Sequence, residues 1–236
     1  VTISPETSVY TGQEQTPSSV KVVLGDVTLP ESDYEILYRR EGQENDFVTP
    51  KDAGTYQVKI TGTDNLAGSW KWETFTITKS SPTIQVKSTY TKEFVYTGKE
   101  IMQPAASDLE ITEAYDGDVQ YTWRDLTSQA ISSEVPVAVG RYELIATIPE
   151  SNNNNSASCT WPFDIVEKSI EGEDITISLS ETDFPYDENV NQPKITVMDL
   201  FRNQELVENT DYTLSMPGSV NAGENYEIVV TGRGNY

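Results

Sequence analysis

Gly54-Thr55-Tyr56-Gln57-Val58-Lys59-Ile60-Thr61-Gly62 is the stretch that decides the fold. Tyr56, Val58 and Ile60 alternate with Gln57, Lys59 and Thr61, a period of two that puts one face in a core and the other in water. The run ends in Gly62-Thr63-Asp64-Asn65, residue types that tolerate positive φ and close turns. Beyond the turn, Phe75 and Ile77 again alternate with polar neighbours. A β-hairpin is the reading, and no segment of the chain offers ten residues of helical period.

The same pattern recurs along the chain. Ala138-Val139-Gly140-Arg141-Tyr142 leads into Leu144 and Ala146, and Asn221-Ala222-Gly223-Glu224-Asn225-Tyr226 leads into Ile228 and Val230. Phe163 and Ile165 mark the returning strand of the second copy after the Ser151 to Asn155 turn. Upstream lies an aromatic turn pair: Tyr10-Thr11-Gly12, then Tyr96-Thr97-Gly98 after 86 residues, then a degraded Tyr186-Asp187-Glu188 after a further 90. From Tyr10 to Gly54 and from Tyr96 to Gly140 the gap is 44 residues in both cases. Asp33-Tyr34 is matched by Asp211-Tyr212, with Asp118-Val119 in the middle copy. A fixed period of this length marks one supersecondary unit used repeatedly.

Short strands in units of about 80 residues predict an all-β chain of three tandem immunoglobulin-like antiparallel β-sandwiches in an elongated arrangement. The expected domains are 1–80, 81–168 and 169–236. The third is expected to lack its last strand, which would leave a sheet edge open to pairing with a neighbour. No disulfide pins these sandwiches, so a large residue at one recurring position, Tyr38, Trp123 and Met216, is expected to fill that place in the core. The linkers, Lys79-Ser80-Ser81-Pro82 and Glu167 to Gly172, are too short for free tumbling.

Composition narrows the function. The 236 residues carry 38 acidic and 16 basic side chains, a net charge of −22, no histidine and one cysteine, with a mean hydropathy of −0.49. Phosphate backbones and anionic membranes repel such a chain, so nucleic acid is excluded as a partner. Without histidine there is no Ser-His-Asp or Cys-His arrangement and no imidazole metal ligand. No apolar run approaches the roughly 20 residues that span a bilayer, so membrane insertion is not expected. The opening Val1-Thr2-Ile3-Ser4-Pro5 has neither a basic n-region nor an apolar h-region, which places any export signal outside the segment.

Carboxylates are abundant, but general-acid work requires one held in an apolar pocket, and every acid lies in a strand-polar or turn position. No enzyme motif is present. Calcium is the one cofactor the oxygen donors suit. The best clusters are Asp116-Gly117-Asp118, Asp187-Glu188-Asn189 and Glu171-Gly172-Glu173-Asp174, and none follows the EF-hand spacing. From residue 169 onward there are 13 acidic and 3 basic residues, a density that a cation would relieve; the plainer reading is solvation.

The tryptophans bear on ligand binding. Trp70 and Trp72 have the opposite parity to Phe75 and Ile77, so they share the outer face unless a bulge intervenes. Exposed together they would form a stacking platform for sugar rings or an anchor for a protein; packed against the next copy they would be structural. Trp123 and Trp161 read as core. Cys159 reads as a small buried hydrophobe, and the Asn152 to Asn155 run as a solvent-exposed hairpin tip.

The run from Val9-Tyr10-Thr11-Gly12 through Asp33-Tyr34 to Asp52-Ala53-Gly54-Thr55-Tyr56 resembles the MBG-type bacterial immunoglobulin-like repeats, which occur in tandem in large bacterial surface proteins. Asp211-Tyr212-Thr213-Leu214 and the run from Asn221 to Tyr236 are similar to the same signature, and the second copy, with Val119 in place of tyrosine, resembles it more weakly. The resemblance implies an extracellular, non-catalytic stalk segment, at the bacterial cell surface or secreted, with flanking domains as its covalent partners. Its rival is an adhesive module for a glycan or host protein using Trp70 and Trp72.

Overall fold

A computed structural model of the chain describes residues 1–44, 46–216, 223 and 226–236. It is an all-β protein, and the only helical turns among the described residues are three of 3-10 type. Asn221, Ala222, Glu224 and Asn225, part of the third glycine-tyrosine signature, lie outside the described residues.

In the first copy, β1 (Thr2–Ser4) pairs with β3 (Ser19–Lys21), and β4 (Val23–Leu24) with β5 (Val27–Thr28). The main sheet runs β2-β8-β7-β6, from Thr7–Val9, Trp70–Thr78, Gly54–Gly62 and Tyr34–Arg40, with β2 parallel to β8. The expected alternation holds: Tyr56, Val58, Ile60, Phe75 and Ile77 are buried and pack with Ile3, Tyr10 and Tyr34.

The second copy repeats this plan. β9 (Thr83–Val86) pairs with β11 (Leu109–Thr112), while β10 (Glu93–Val95) lies parallel to β15 (Ala157–Val166). The sheet continues through β14 (Gly140–Ile148) and β12 (Gln120–Asp125) to β13 (Ile131–Ser132). Phe163 is the hub of its core, edge-on to Phe94 and Trp123 at 5.6 and 5.7 Å and stacked on Tyr142 at 5.6 Å. The third copy pairs β16 (Ile175–Leu179), β17 (Ile195–Asp199) and β18 (Gln204–Glu205) in one sheet, and β19 (Tyr212–Ser215) with β20 (Val229–Gly232) in another.

Some expectations change. Of the three residues assigned to one core position only Trp123 is buried; Tyr38, although paired opposite Val58 within its sheet, is half-buried, and so is Met216, which lies one residue beyond the end of β19. Trp161 is also half-buried, its ring capped by the Lys92 ammonium at 4.5 Å instead of by a second sheet. In the third copy the strand begins at Val229, and Tyr226 is exposed. Cys159 is half-buried, and burial pushes its thiol pKa up, the opposite of an activated nucleophile.

By compactness the chain forms two units. One comprises Val1–Lys87, Ala106–Tyr121 and Ala146–Cys159; the other comprises Ser88–Ala105, Thr122–Ile145 and Thr160–Tyr236. Each contains one junction between consecutive sequence copies.

Candidate functional sites

The glycine-tyrosine signature builds a socket. In the first copy the Tyr56 hydroxyl donates to the Asp52 carbonyl four residues upstream at 2.8 Å; in the second, Tyr142 does the same to Ala138 at 2.9 Å. Pinning that carbonyl holds the next peptide in place, with the N–H of Ala53 or of Val139 outside the β-ladder. Gly54 is needed between them because its φ is +151° and a Cβ there would meet the Arg40 guanidinium at 3.0 Å. At Gly140 a Cβ would meet the ring of Tyr142 at 3.0 to 3.1 Å.

An asparagine of the following copy fills each socket. Ala53 N–H donates to Asn153 Oδ1 at 2.7 Å, and Ser80 N–H, in the linker, donates to the Asn153 carbonyl at 3.0 Å. At the second junction Val139 N–H donates to Asn235 Oδ1 at 3.0 Å, and Lys168 N–H donates to the Asn235 carbonyl at 3.0 Å. One residue thus satisfies two donors, its side-chain oxygen taking the one on the sheet end and its backbone carbonyl the one on the linker. The joint is the same device twice.

The tyrosine of the Tyr-Thr-Gly signature closes each joint. Its strand position is fixed identically in both copies, Tyr10 N–H to Thr78 O and Tyr96 N–H to Val166 O, each at 2.9 Å. Tyr10 is buried, and its hydroxyl donates to Asp116 Oδ1 at 2.7 Å. That hydrogen bond, assisted by burial, pushes the Tyr10 pKa up to about 12. Asn153 Nδ2 donates to Asp116 Oδ2 at 2.6 Å and to Asp52 Oδ1 at 3.1 Å. Tyr96 instead meets the ring of Tyr236 edge-on at 5.6 Å, with the Arg202 guanidinium 5.3 Å from its centroid.

Each linker buries part of itself in its joint, Ser80 and Pro82 in the first and Lys168 in the second. Ser80 is wholly buried, donates from its hydroxyl to the Ala114 carbonyl at 2.5 Å and accepts at its backbone carbonyl from Asn155 N–H at 3.0 Å. At the second joint Asp199 is wholly buried, accepting from Lys168 Nζ at 2.8 Å, Tyr236 Oη at 2.9 Å and Arg202 N–H at 3.1 Å. Burial alone would raise its pKa and is the largest single influence, but these donors together hold it below the usual carboxylate range. Burial, reinforced by the bond to Asp199, pushes Tyr236 up to about 12.

The Asn152 to Asn155 run is therefore only half a solvent-exposed tip: Asn152 and Asn155 are exposed, but the two residues between them are not. Asn153 is 7% exposed and Asn154 is fully buried, its Oδ1 accepting from Asp116 N–H at 2.9 Å. The polarity of the run satisfies the orphan backbone groups at a sheet end instead of seeking water. An asparagine in the turn after the central strand, as at Asn65 and Asn235, was the signal that would have located the joints.

The calcium candidates separate. Asp116 spends its oxygens on Tyr10 and Asn153, while Asp118 is exposed. Asp187 accepts from Asn189 N–H and Asn191 Nδ2, which lowers its pKa, and Glu188 is exposed beside it with φ +64°. Among the described residues no three carboxylate, cysteine or histidine side chains come together as a metal site.

Trp70 and Trp72 do fall on the outer face, because pairing runs unbroken from Gly54–Ile77 to Thr61–Trp70 with no bulge. They are not equivalent. Trp70 is 64% exposed, whereas Trp72 is half-covered, with the Arg39 guanidinium 4.2 Å above its ring and Lys59 at 5.8 Å.

The family model of the MBG domain matches residues 95–165. That segment resembles the MBG domain. The matched MBG segment opens at Val95, one residue before Tyr96, and contains the Gly140 to Tyr142 signature and the plug Asn153. It falls on the second copy, in which Val119 stands in place of the tyrosine of the Asp-Tyr pair. No curated protein matches the chain.

Proposed function

We propose that the chain is a structural segment of a larger bacterial cell-surface or secreted protein, built of three tandem immunoglobulin-like sandwiches with fixed joints and no turnover chemistry. The observation that carries this reading is the repeated joint: two junctions use the same socket, the same pair of backbone donors and the same asparagine plug. A segment whose task is to hold distance and direction needs such joints; a flexible tether does not. The tyrosine corners at Tyr56 and Tyr142, of the kind that fix strands in immunoglobulin-like sandwiches, support the domain reading. The one wholly buried carboxylate among the described residues, Asp199, has its pKa lowered, the reverse of what a general acid requires. Small-angle scattering of the chain tests the reading: an extended profile that does not broaden with temperature below unfolding is expected, and a compact profile would refute it.

Exposure of Trp70 favours a second reading, an adhesive face for a glycan or a host protein. Trp72 stands beside Arg39 and Lys59, two basic side chains on a strongly acidic chain, while Trp70 lies in the row of Thr61 and Glu35. Replacing both tryptophans with alanine should remove a readily quenched, red-shifted fluorescence component and any retention on a glycan array; loss of only a shielded, blue-shifted component would sink this reading.

A further inference from the structure

We infer that the turn bearing Asn65 is a third, ready-made plug, and that its occupant is the socket of another copy of this repeat lying ahead of it in the same polypeptide. The inference rests on the fixed-joint reading and extends it to a turn whose acceptors nothing among the described residues fills.

The turns after the central strand of the first and third copies match bond for bond. Tyr34 pairs with Gly62 and Tyr212 with Gly232. Thr63 N–H donates to Asp33 O and Arg233 N–H to Asp211 O, each at 2.9 Å. Leu66 N–H closes on Thr63 O at 2.8 Å and Tyr236 N–H on Arg233 O at 3.2 Å. The left-handed residue is Asp64 in one turn, φ +47°, and Gly234 in the other, φ +69°. Asn65 therefore occupies the place of Asn235, and Leu66 that of Tyr236.

The common reason for asparagine in a turn is its tolerance of positive φ. That reason fails here, since the left-handed residue is the one before it in both turns. At Asn235 the asparagine serves the joint, with Oδ1 on Val139 N–H and the carbonyl on Lys168 N–H. Asn65 is exposed, and neither acceptor has a partner among the described residues. The occupant must offer two backbone donors, one before a signature glycine and one in the linker that follows. Because the second donor belongs in both known joints to the chain leading into the plugging copy, a repeat joined in cis fits and a free ligand does not.

The test extends the chain with a duplicate of residues 81–173 joined to Val1, so that Thr2 follows the duplicated linker as Ile175 follows the native one. Amide exchange is followed at the duplicated Val139 and Lys168, with and without Asn65→Ala, and at native Val139 with and without Asn235→Ala. The expected result is at least tenfold faster exchange at both duplicated amides on Asn65→Ala. Unchanged exchange there, with native Val139 deprotected by Asn235→Ala, overturns the inference and leaves the joint reading standing; no change at either site overturns both. The duplicated Leu144 reports whether the added copy is folded. A copy that folds only with Asn65 in place supports the plug, and one that fails to fold despite it counts against the inference.

Discussion

Asn153→Ala isolates the first joint. The side chain is 7% exposed and makes three hydrogen bonds: from Ala53 N–H at 2.7 Å, and to the carboxylates of Asp116 at 2.6 Å and Asp52 at 3.1 Å. Truncation strands the Ala53 amide, itself on a buried residue, at a cost of about 1–3 kcal/mol, and removes a charge-assisted bond that contributes on the order of 1.5–3 kcal/mol. The terms share one network and do not simply add, and Asp116 keeps the Tyr10 hydroxyl, so about 3 kcal/mol is expected for opening the joint. At 1.4 kcal/mol per tenfold this is roughly a hundredfold faster exchange of the Ala53 amide by local opening. Native-state hydrogen exchange reads it directly. Val58 and Ile60, in the sheet core, should keep their protection, and exposed Asn152→Ala should leave every amide unchanged. An Ala53 amide that exchanges at the same rate in Asn153→Ala would refute the socket; equal acceleration at Val58 would mean that the asparagine holds the whole fold and not the joint.

The second joint rests on a buried ion pair, so Lys168→Met should cost about 3–5 kcal/mol by leaving Asp199 uncompensated, and adding Asp199→Leu should restore much of it; chemical denaturation of the single and double variants checks both. Joint stability should also be bounded on both sides in pH. Tyr10 and Tyr236 have raised folded pKa values, so their contribution is complete below pH 10 and disappears between 10 and about 12, on the order of 2–3 kcal/mol for Tyr10. Asp199 is depressed, so its contribution is complete above its ordinary value of 3.8 and is lost as pH falls below that, through its folded pKa. Thermal melts from pH 2 to 12 should show a plateau with losses at both ends, and Tyr10→Phe should flatten much of the alkaline loss. Phe75→Ala, at a fully buried site away from the joints, should destabilise by about 3–5 kcal/mol without selective exchange at Ala53.

The hairpin of the first copy was legible residue by residue. Tyr56, Val58, Ile60, Phe75 and Ile77 are all buried as their alternation requires, because a strand with one wet face has no other way to satisfy both. Parity also placed Trp70 and Trp72 on the outer face, but not the Arg39 guanidinium over Trp72, which comes from 33 residues earlier in the chain. The asparagine run was misread for a definite reason: polar side chains in a turn look the same whether they meet water or the unpaired amides of another sheet end.

Local periodicity is written in the residues themselves: strands, turns, the tandem period and the recurring tyrosine and glycine positions follow from interactions between neighbours in the chain. The tertiary structure alone decided what those signatures are for. Ala53 and Asn153 are 100 positions apart, Val139 and Asn235 are 96, and nothing in either neighbourhood announces that one holds an unpaired donor and the other its acceptor. Hydrogen-bond demand at the end of a sheet becomes visible only when folding has fixed which backbone groups the ladder leaves over.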